Sequence, residues 1–247
     1  MTVRILSYNI RYGGVGREEA LAEVVEAAAP DLVVLQEANR PEVVKRLAER
    51  TGMSAWASSP KHSVGFMSRL ETRGHEWHRP RGCPRALLQI DLVAGDLTVF
   101  GIHLRAIHSN WSERSRAREL TLALRSIERH REGIHVLAGD FNTLAPGESL
   151  DLRRLPRRLQ LLTWILGRTI QWKTIQSLLD AGYVDGFRHL HPDVTGHTFP
   201  TWNPHVRLDY FFVPVSAVDR LVSCEVLVGG GSKHASDHFP LLAGFDV

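Results

Sequence analysis

The sequence predicts an α+β protein built as a four-layer αββα sandwich, two packed mixed β-sheets flanked by helices. Three observations predict it. Helical patterns occur in both halves of the chain while strands dominate between them, an order that suits stacked sheets with helices outside. The strand runs are short, either partly alternating or wholly apolar, as expected of sheets with buried faces. No repeat, low-complexity tract or Pro/Gly/Ser linker divides the 247 residues, so residues 1–247 are expected to form one domain. The composition, 43% hydrophobic and 23% charged, is that of an ordinary globular chain.

Each element has a local reason. VRILSYNIR alternates in part and reads as a strand, and REEALAEVVEAAA follows as a helix with one apolar face, stopped by Pro30. DLVVLQE is a short buried strand, and RPEVVKRLAERTG a second helix closed by Gly52. Strands are expected at 53–58, 63–68 and 73–78. RALLQIDLVAGDLTVFGIHL then folds back on itself about Gly95-Asp96, a hairpin signal. NWSERSRARELTLALRSIERH is helical, with Asn110 as the expected N-cap and Glu113 completing a capping box. GIHVLAGD is another buried strand, and strands resume at HTFPT, RLDYFFVP, RLVSCEVLV and FPLLAGF. Strand pairing does not follow from these patterns.

Charge and cysteine content bound the function. The chain carries a net charge of +3 with a pI near 9.1, which suggests an anionic partner. All of the positive excess lies in residues 151–180, where Arg153, Arg154, Arg157, Arg158, Arg168 and Lys173 face only Asp151 and Asp180. No apolar run approaches the roughly 18 residues of a membrane span. MTVRILSYNI lacks the layout of a signal peptide, so a cytoplasmic location is expected. Cys83 and Cys224 have no metal-ligand spacing; two free thiols are the expectation, with a disulfide left open.

The apolar strands share one peculiarity: each ends on a polar group. Asn9 closes the first, Glu37 the second, His103 the return arm of the hairpin, and Asp140 with Asn142 closes HVLAGDFN. Asp209 sits inside RLDYFFV, and Asp237 pairs with His238 in SDHFP. Taken singly, these could be turn residues, a solvated loop carboxylate, a hydrogen-bonded core histidine, or a partner for Arg207. Taken together they invite another reading, because a buried carboxylate costs several kcal/mol unless it is paired or binds metal. Converged on one pocket, oxygen ligands would suit a hard cation such as Mg²⁺, and the imidazoles would supply proton transfer or charge stabilisation.

In their order, SYNIR, LVVLQE, GIHL, GDFN, RLDYFFV and SDHFPL resemble the endonuclease/exonuclease/phosphatase superfamily over nearly the whole chain. The resemblance implies a metal-dependent hydrolase of phosphodiesters acting by in-line attack of water, with Mg²⁺ or Mn²⁺ as cofactor. It implies metal-site roles for Asn9, Glu37 and Asp237, with Glu37 the principal ligand. Asp140 and Asn142 would orient or activate water and bind phosphate. His238, placed by Asp209, would stabilise or protonate a phosphate oxygen or serve as base, and His103 matches a second active-site histidine.

Departures narrow the branch. Arg11 stands where AP endonucleases usually carry Asp, and His103 where they carry Tyr; VRLDYFF lacks the Cys-Asp-Arg of inositol phosphatases. CPRALLQID offers no Glu to support His103. The variable 151–180 segment has three readings: a packed helix with a solvated basic face, a nucleic-acid surface where Trp164 or Trp172 stacks on bases, or a membrane-interface helix. Phe199 and Trp202 could likewise pack against a base or lipid. Nucleic acid is the favoured substrate, a phospholipid phosphodiester the runner-up, and an inactive binding module the third reading. No protein partner is inferable.

Overall fold

The computed structural model describes residues 1–105, 110–128, 133–148 and 172–247. One sheet contains β1 (Thr2–Asn9), β2 (Leu32–Gln36), β3 (Ala55–Ala57), β4 (Val64–Ser68), β11 (Leu221–Val226) and β12 (Leu241–Asp246), in the order β11-β12-β1-β2-β4-β3. The other contains β5 (Thr72–His78), β6 (Leu87–Leu92), β7 (Thr98–His103), β8 (His135–Asp140), β9 (Tyr183–Asp185) and β10 (Asp209–Pro214), in the order β5-β6-β7-β8-β10-β9. Each sheet has one parallel pair at its centre, β1 with β2 and β7 with β8, and antiparallel neighbours elsewhere. Both sheets are therefore mixed, as the sequence predicts.

The four layers follow from period-two patterning. In β1, Val3 and Ile5 point into the core between the sheets, where they join Phe66, Val99, Ala138 and Phe211. Leu6 and Tyr8 point the other way, onto helices α1 (Glu18–Ala28) and α2 (Pro41–Arg50) through Leu21, Val25, Val43 and Leu47. On the second sheet Phe100, Ile102, Leu137 and Phe212 face outward onto α3 (Asn110–Ser126) and α4 (Lys173–Asp180) through Leu120, Ile175 and Leu178. A fully buried Leu, Ile or Phe side chain contributes about 1.5–3 kcal/mol. Three such clusters hold four layers together.

Some local expectations are corrected. HTFPT is not a strand: Phe199 makes a single bridge to Val206, Pro200 has no N–H, and Thr201 N donates to Asp237 O, so the segment straps the loop after the short helix α6 (Ser232–Ala235). Asn110 is the first residue of α3 rather than its N-cap. Glu113 is buried, pairs with Arg116 and accepts from Thr174 N, satisfying an orphan donor at the start of α4. Tyr183–Asp185 and the short helix α5 (Gly186–Leu190) carry no clear signal in the sequence. Cys83 and Cys224 are both free and buried. The Gly95-Asp96 turn is present, with both residues at positive φ.

Of the basic 151–180 segment, residues 151–171, including Trp164, lie outside the described residues. Its end is α4, which buries Thr174, Ile175 and Leu178 and so behaves there as a packed helix. No helix among the described residues is long and apolar enough to cross a membrane.

Candidate active site

The inner faces of both sheets change character at one end. Asn9 follows Val3, Ile5 and Ser7 at the inward-facing spacing of β1, and Gln36 does so on β2 after Leu32 and Val34. On the second sheet His103, Asp140 and Asp209 keep the inward parity of Val99, Ala138 and Phe211. Those three are also register neighbours, His103 opposite Asp140 and Asp140 opposite Asp209. Period two along the strands and register across them thus bring the strand-end polar groups into one place.

The sheets meet through these groups. Asn9 Nδ2 donates to Asp140 Oδ2 at 3.0 Å, joining residues 131 positions apart. Asp140 Oδ1 accepts Asn142 N at 2.9 Å, while Oδ2 also accepts Asn142 Nδ2 at 2.9 Å. Asn142 therefore stabilises the turn around Asp140, and it does so within the site. The close approach of β7 requires Gly139, since a Cβ there would lie 1.9 Å from Ile102 O.

His238 is carried by the loop before β12. Its Nδ1 lies 2.8 Å from Asp209 Oδ2, which leaves Nε2 directed at Asp140 Oδ2, 3.9 Å away. Asp209 is thus a partner of His238 and not of Arg207, whose guanidinium pairs with Asp185 and Glu148. His103 Nε2 approaches the same Asp140 oxygen to 3.8 Å from the other side. Its Nδ1 has no partner among the described residues, in keeping with the missing Glu. Phe199 packs on the His238 ring at 4.8 Å, and Trp202, 69% exposed, packs on Phe199.

Burial and charge set the protonation states. Burial alone would depress His238, but Asp209, Asp140 and Asp237 outweigh it and push its pKa up to about 10. Burial pushes Asp140 up to about 7, although the His238 cation opposes the rise. The surrounding carboxylates thus favour the imidazolium form of His238. Burial, aided by Arg85 and His238, holds His103 well below the usual imidazole range, so His103 is neutral.

Glu37 and Asp237 gather at the same end around a strained turn. Glu37 Oε2 accepts Tyr12 N at 2.5 Å, Arg11 N donates to Asn9 Oδ1 at 3.0 Å, and Ser236 Oγ donates to Asn9 O at 2.6 Å. Arg11 Nε lies 3.2 Å from Asp237 Oδ2, a charge contact without the directional geometry of a hydrogen bond. Arg11, Tyr12, Glu37 and Asn142 all have positive φ near 50–58°. Such conformations cost of order 1–3 kcal/mol each and persist where the surroundings impose them.

Asp140, Asp209 and His238 form a buried acidic and histidine cluster, with ligand atoms within 4.8 Å of one another, that could hold a metal ion. This differs from the expected set of Asn9, Glu37 and Asp237. Two residues to which the sequence assigns no site role also adjoin these groups. Ser236 ties the His238 loop to β1, and Arg85, half-buried, donates from Nη1 to His103 O at 3.3 Å and senses the charges of Asp140 and Glu37. An arginine two residues before the largely apolar strand β6 was the signal for Arg85.

Comparison with known proteins shows the fold and the family. The model of the Endonuclease/Exonuclease/phosphatase family matches residues 6–238. Solved structures with the same fold include an AP endonuclease from Archaeoglobus fulgidus, 18% identical, covering 99% of this chain and 100% of that one with a TM-score of 0.74. A 3'-5' exonuclease from Neisseria meningitidis is similar to the same degree, 18% identical over 99% and 100% of the two chains, with a TM-score of 0.74. A Neisseria 3' phosphatase bound to product DNA hairpin is 19% identical over 99% and 100%, with a TM-score of 0.72. No curated protein matches the chain. With the family model spanning almost its entire length and every motif placed at one end of a sandwich of this kind, the chain belongs to the endonuclease/exonuclease/phosphatase family.

Proposed function

We propose that this protein is a divalent-metal-dependent phosphodiesterase whose substrate class is nucleic acid, and that residues 1–247 act as one catalytic domain. The carrying observation is the buried quartet His103, Asp140, Asp209 and His238, in which two imidazole Nε2 atoms flank one carboxylate oxygen at 3.8 and 3.9 Å. The solved structures of like fold, an AP endonuclease, an exonuclease and a phosphatase bound to product DNA, favour nucleic acid over lipid.

The oxygen donors Glu37, Asn9 and Asp237 fit a hard cation such as Mg²⁺ or Mn²⁺. They are preferred over the Asp140–Asp209–His238 cluster because all three offer oxygen, which suits a hard cation, whereas that cluster includes an imidazole whose Nδ1 is already bonded to Asp209. The bound ion would supply polarisation of a phosphoryl oxygen. The protein supplies the rest. His238, fixed by Asp209, presents a charged Nε2–H to a phosphate oxygen, a charge-assisted hydrogen bond. Asp140, with its pKa raised toward neutrality, is suited to accept a proton from the attacking water, and Asn9 and Asn142 hold its carboxylate in place. Neutral His103 orients the water or the phosphate from the opposite side.

The test is hydrolysis of a simple phosphodiester reporter, single- and double-stranded DNA, RNA and anionic phospholipid vesicles, with and without Mg²⁺ or Mn²⁺, using Glu37→Gln as background. Metal-dependent cleavage of nucleic acid, lost in Glu37→Gln, is expected. Turnover of lipid alone would transfer the assignment to the runner-up, and binding of ligand without turnover of anything would leave a binding module.

A further inference from the structure

Beside the site runs a solvent-open groove of about 560 Å³, formed by the loop from Arg79 to Pro84 and by Arg105. None of the described residues lining it is acidic. Arg79, Arg81 and Arg105 are exposed along it, and Arg118 on α3 is exposed close to Gly82. Glu119, a carboxylate beside it, is buried and lies 3.9 Å from Arg105 Nε, with its Oε2 unpartnered among the described residues. One recessed carboxylate does not neutralise this many guanidinium groups, so the groove is a strongly positive surface.

The loop is built rather than loose. Arg79 Nε donates to Cys83 O at 3.3 Å, and buried Cys83 reaches Glu119 O through its thiol at 3.8 Å, tying the loop to α3. The groove is also continuous with the site. Arg105 lies two residues beyond His103, and Arg85, at the loop's end, donates to His103 O. Among the described residues its lining holds no exposed large apolar side chain, and its exposed guanidinium groups suit phosphates.

From this we infer that Arg79, Arg81 and Arg105 bind the sugar-phosphate backbone of a nucleic-acid strand next to the scissile phosphate. The inference rests on the nucleic-acid reading above and deepens it: the groove sets affinity for polymer and leaves the chemical step alone. Contacts of this kind carry little sequence information and are strongly salt-dependent, each phosphate neutralised contributing about 0.7 to the slope of log K against log salt for a single strand.

The experiment measures anisotropy of a fluorescein-labelled 12-nucleotide single strand bound to the full chain over a salt series. It compares wild type, Arg79→Ala/Arg81→Ala, and Arg73→Ala as a control at the far end of β5, where Arg73 pairs with Asp96 on the surface. Cleavage of the same strand and of a mononucleotide phosphodiester reporter is followed in parallel. The double variant is expected to lose roughly 1.4 from the salt slope and about tenfold in affinity at low salt, with a raised KM for the strand and unchanged kcat on the reporter. Arg73→Ala should move neither. An unchanged slope in the double variant overturns the groove, even if wild type cleaves DNA and the active-site reading stands. A reduced slope with no nucleic-acid cleavage keeps the groove and overturns the nuclease reading. Failure of wild type to bind the strand overturns both. If the double substitution abolishes binding to phosphatidylglycerol vesicles while leaving the strand's slope intact, the groove is a lipid contact and the inference fails.

Discussion

Arg207 and Asp209 are two residues apart, both almost wholly buried and both ionisable, yet they belong to different kinds of structure. Arg207 is saturated. Its guanidinium reaches both oxygens of Asp185 at 2.8 and 2.5 Å, takes Glu148 Oε1 at 2.8 Å from Nε, and lies over the Tyr210 ring at 4.4 Å. Asp209 holds His238 with one oxygen and leaves Oδ1 without a partner among the described residues, while His103 across the cluster leaves Nδ1 likewise. Burial of charge therefore does not identify the site. The incomplete satisfaction of buried polar atoms, gathered in one place with strained backbone, does.

The contrast can be broken by substitution. The largest effect expected is on catalysis: His238→Gln should lower kcat by about 10²–10⁴-fold in a protein that still folds, because the glutamine amide can still donate to Asp209 but cannot present a charged N–H to phosphate. A kcat within tenfold of wild type in steady-state assays would remove His238 from the mechanism. Arg207→Met should do the reverse. Leaving Asp185 and Glu148 buried without their cation should cost about 3–5 kcal/mol in urea unfolding, with kcat of the folded protein within a few-fold. If Arg207→Met instead removes activity without loss of stability, the assignment of the two clusters is inverted.

Smaller effects sharpen the comparison. Asn142 occupies a left-handed conformation at φ 51°, which glycine adopts freely. Asn142→Gly should therefore stay within about 1 kcal/mol of wild-type stability, the relieved backbone offsetting the lost side-chain bonds, while kcat falls by roughly tenfold. Equal losses in both would mean that Asn142 only holds the turn. The mildest change is at Arg11, whose side chain is 40% exposed beside Asp237. Arg11→Ala should shift stability by less than about 1 kcal/mol, as exposed pairs do. Removing a cation from Asp237 should tighten Mg²⁺ binding by about fivefold in calorimetry, the value of roughly 1 kcal/mol between charges about 4 Å apart in water. Weaker binding in Arg11→Ala would show that Asp237 is not part of the ion site.

Much of the site is legible in the sequence because strand ends announce themselves. An apolar run stops where its backbone leaves the core, and a carboxylate, amide or imidazole at that point is unusual enough to be noticed at Asn9, Glu37, His103 and Asp140. Convergence was another matter. Asn9 and Asp140 meet only because each lies on the inward parity of its own strand and the two sheets face each other. Glu113 misled for the same reason: its spacing from Asn110 fits a local cap, but the donor it accepts from is Thr174 N, 61 residues away. HTFPT has the residue types of a strand, and its backbone bonds are divided between the 205–206 turn and the loop that carries His238.

What the sequence determined by itself was local and periodic: which runs are strands or helices, which faces are apolar, and which polar groups stand at strand ends. These depend on side-chain size, branching and solvation within a few residues. Only the tertiary structure decided which ends meet, that His238 is held cationic by Asp209 and Asp140 while His103 is left neutral, and that Arg85 and the Arg79–Arg81–Arg105 groove adjoin the site. Those properties come from burial and from charges brought within a few ångströms by sheet packing. Neither exists until the two sheets close on each other.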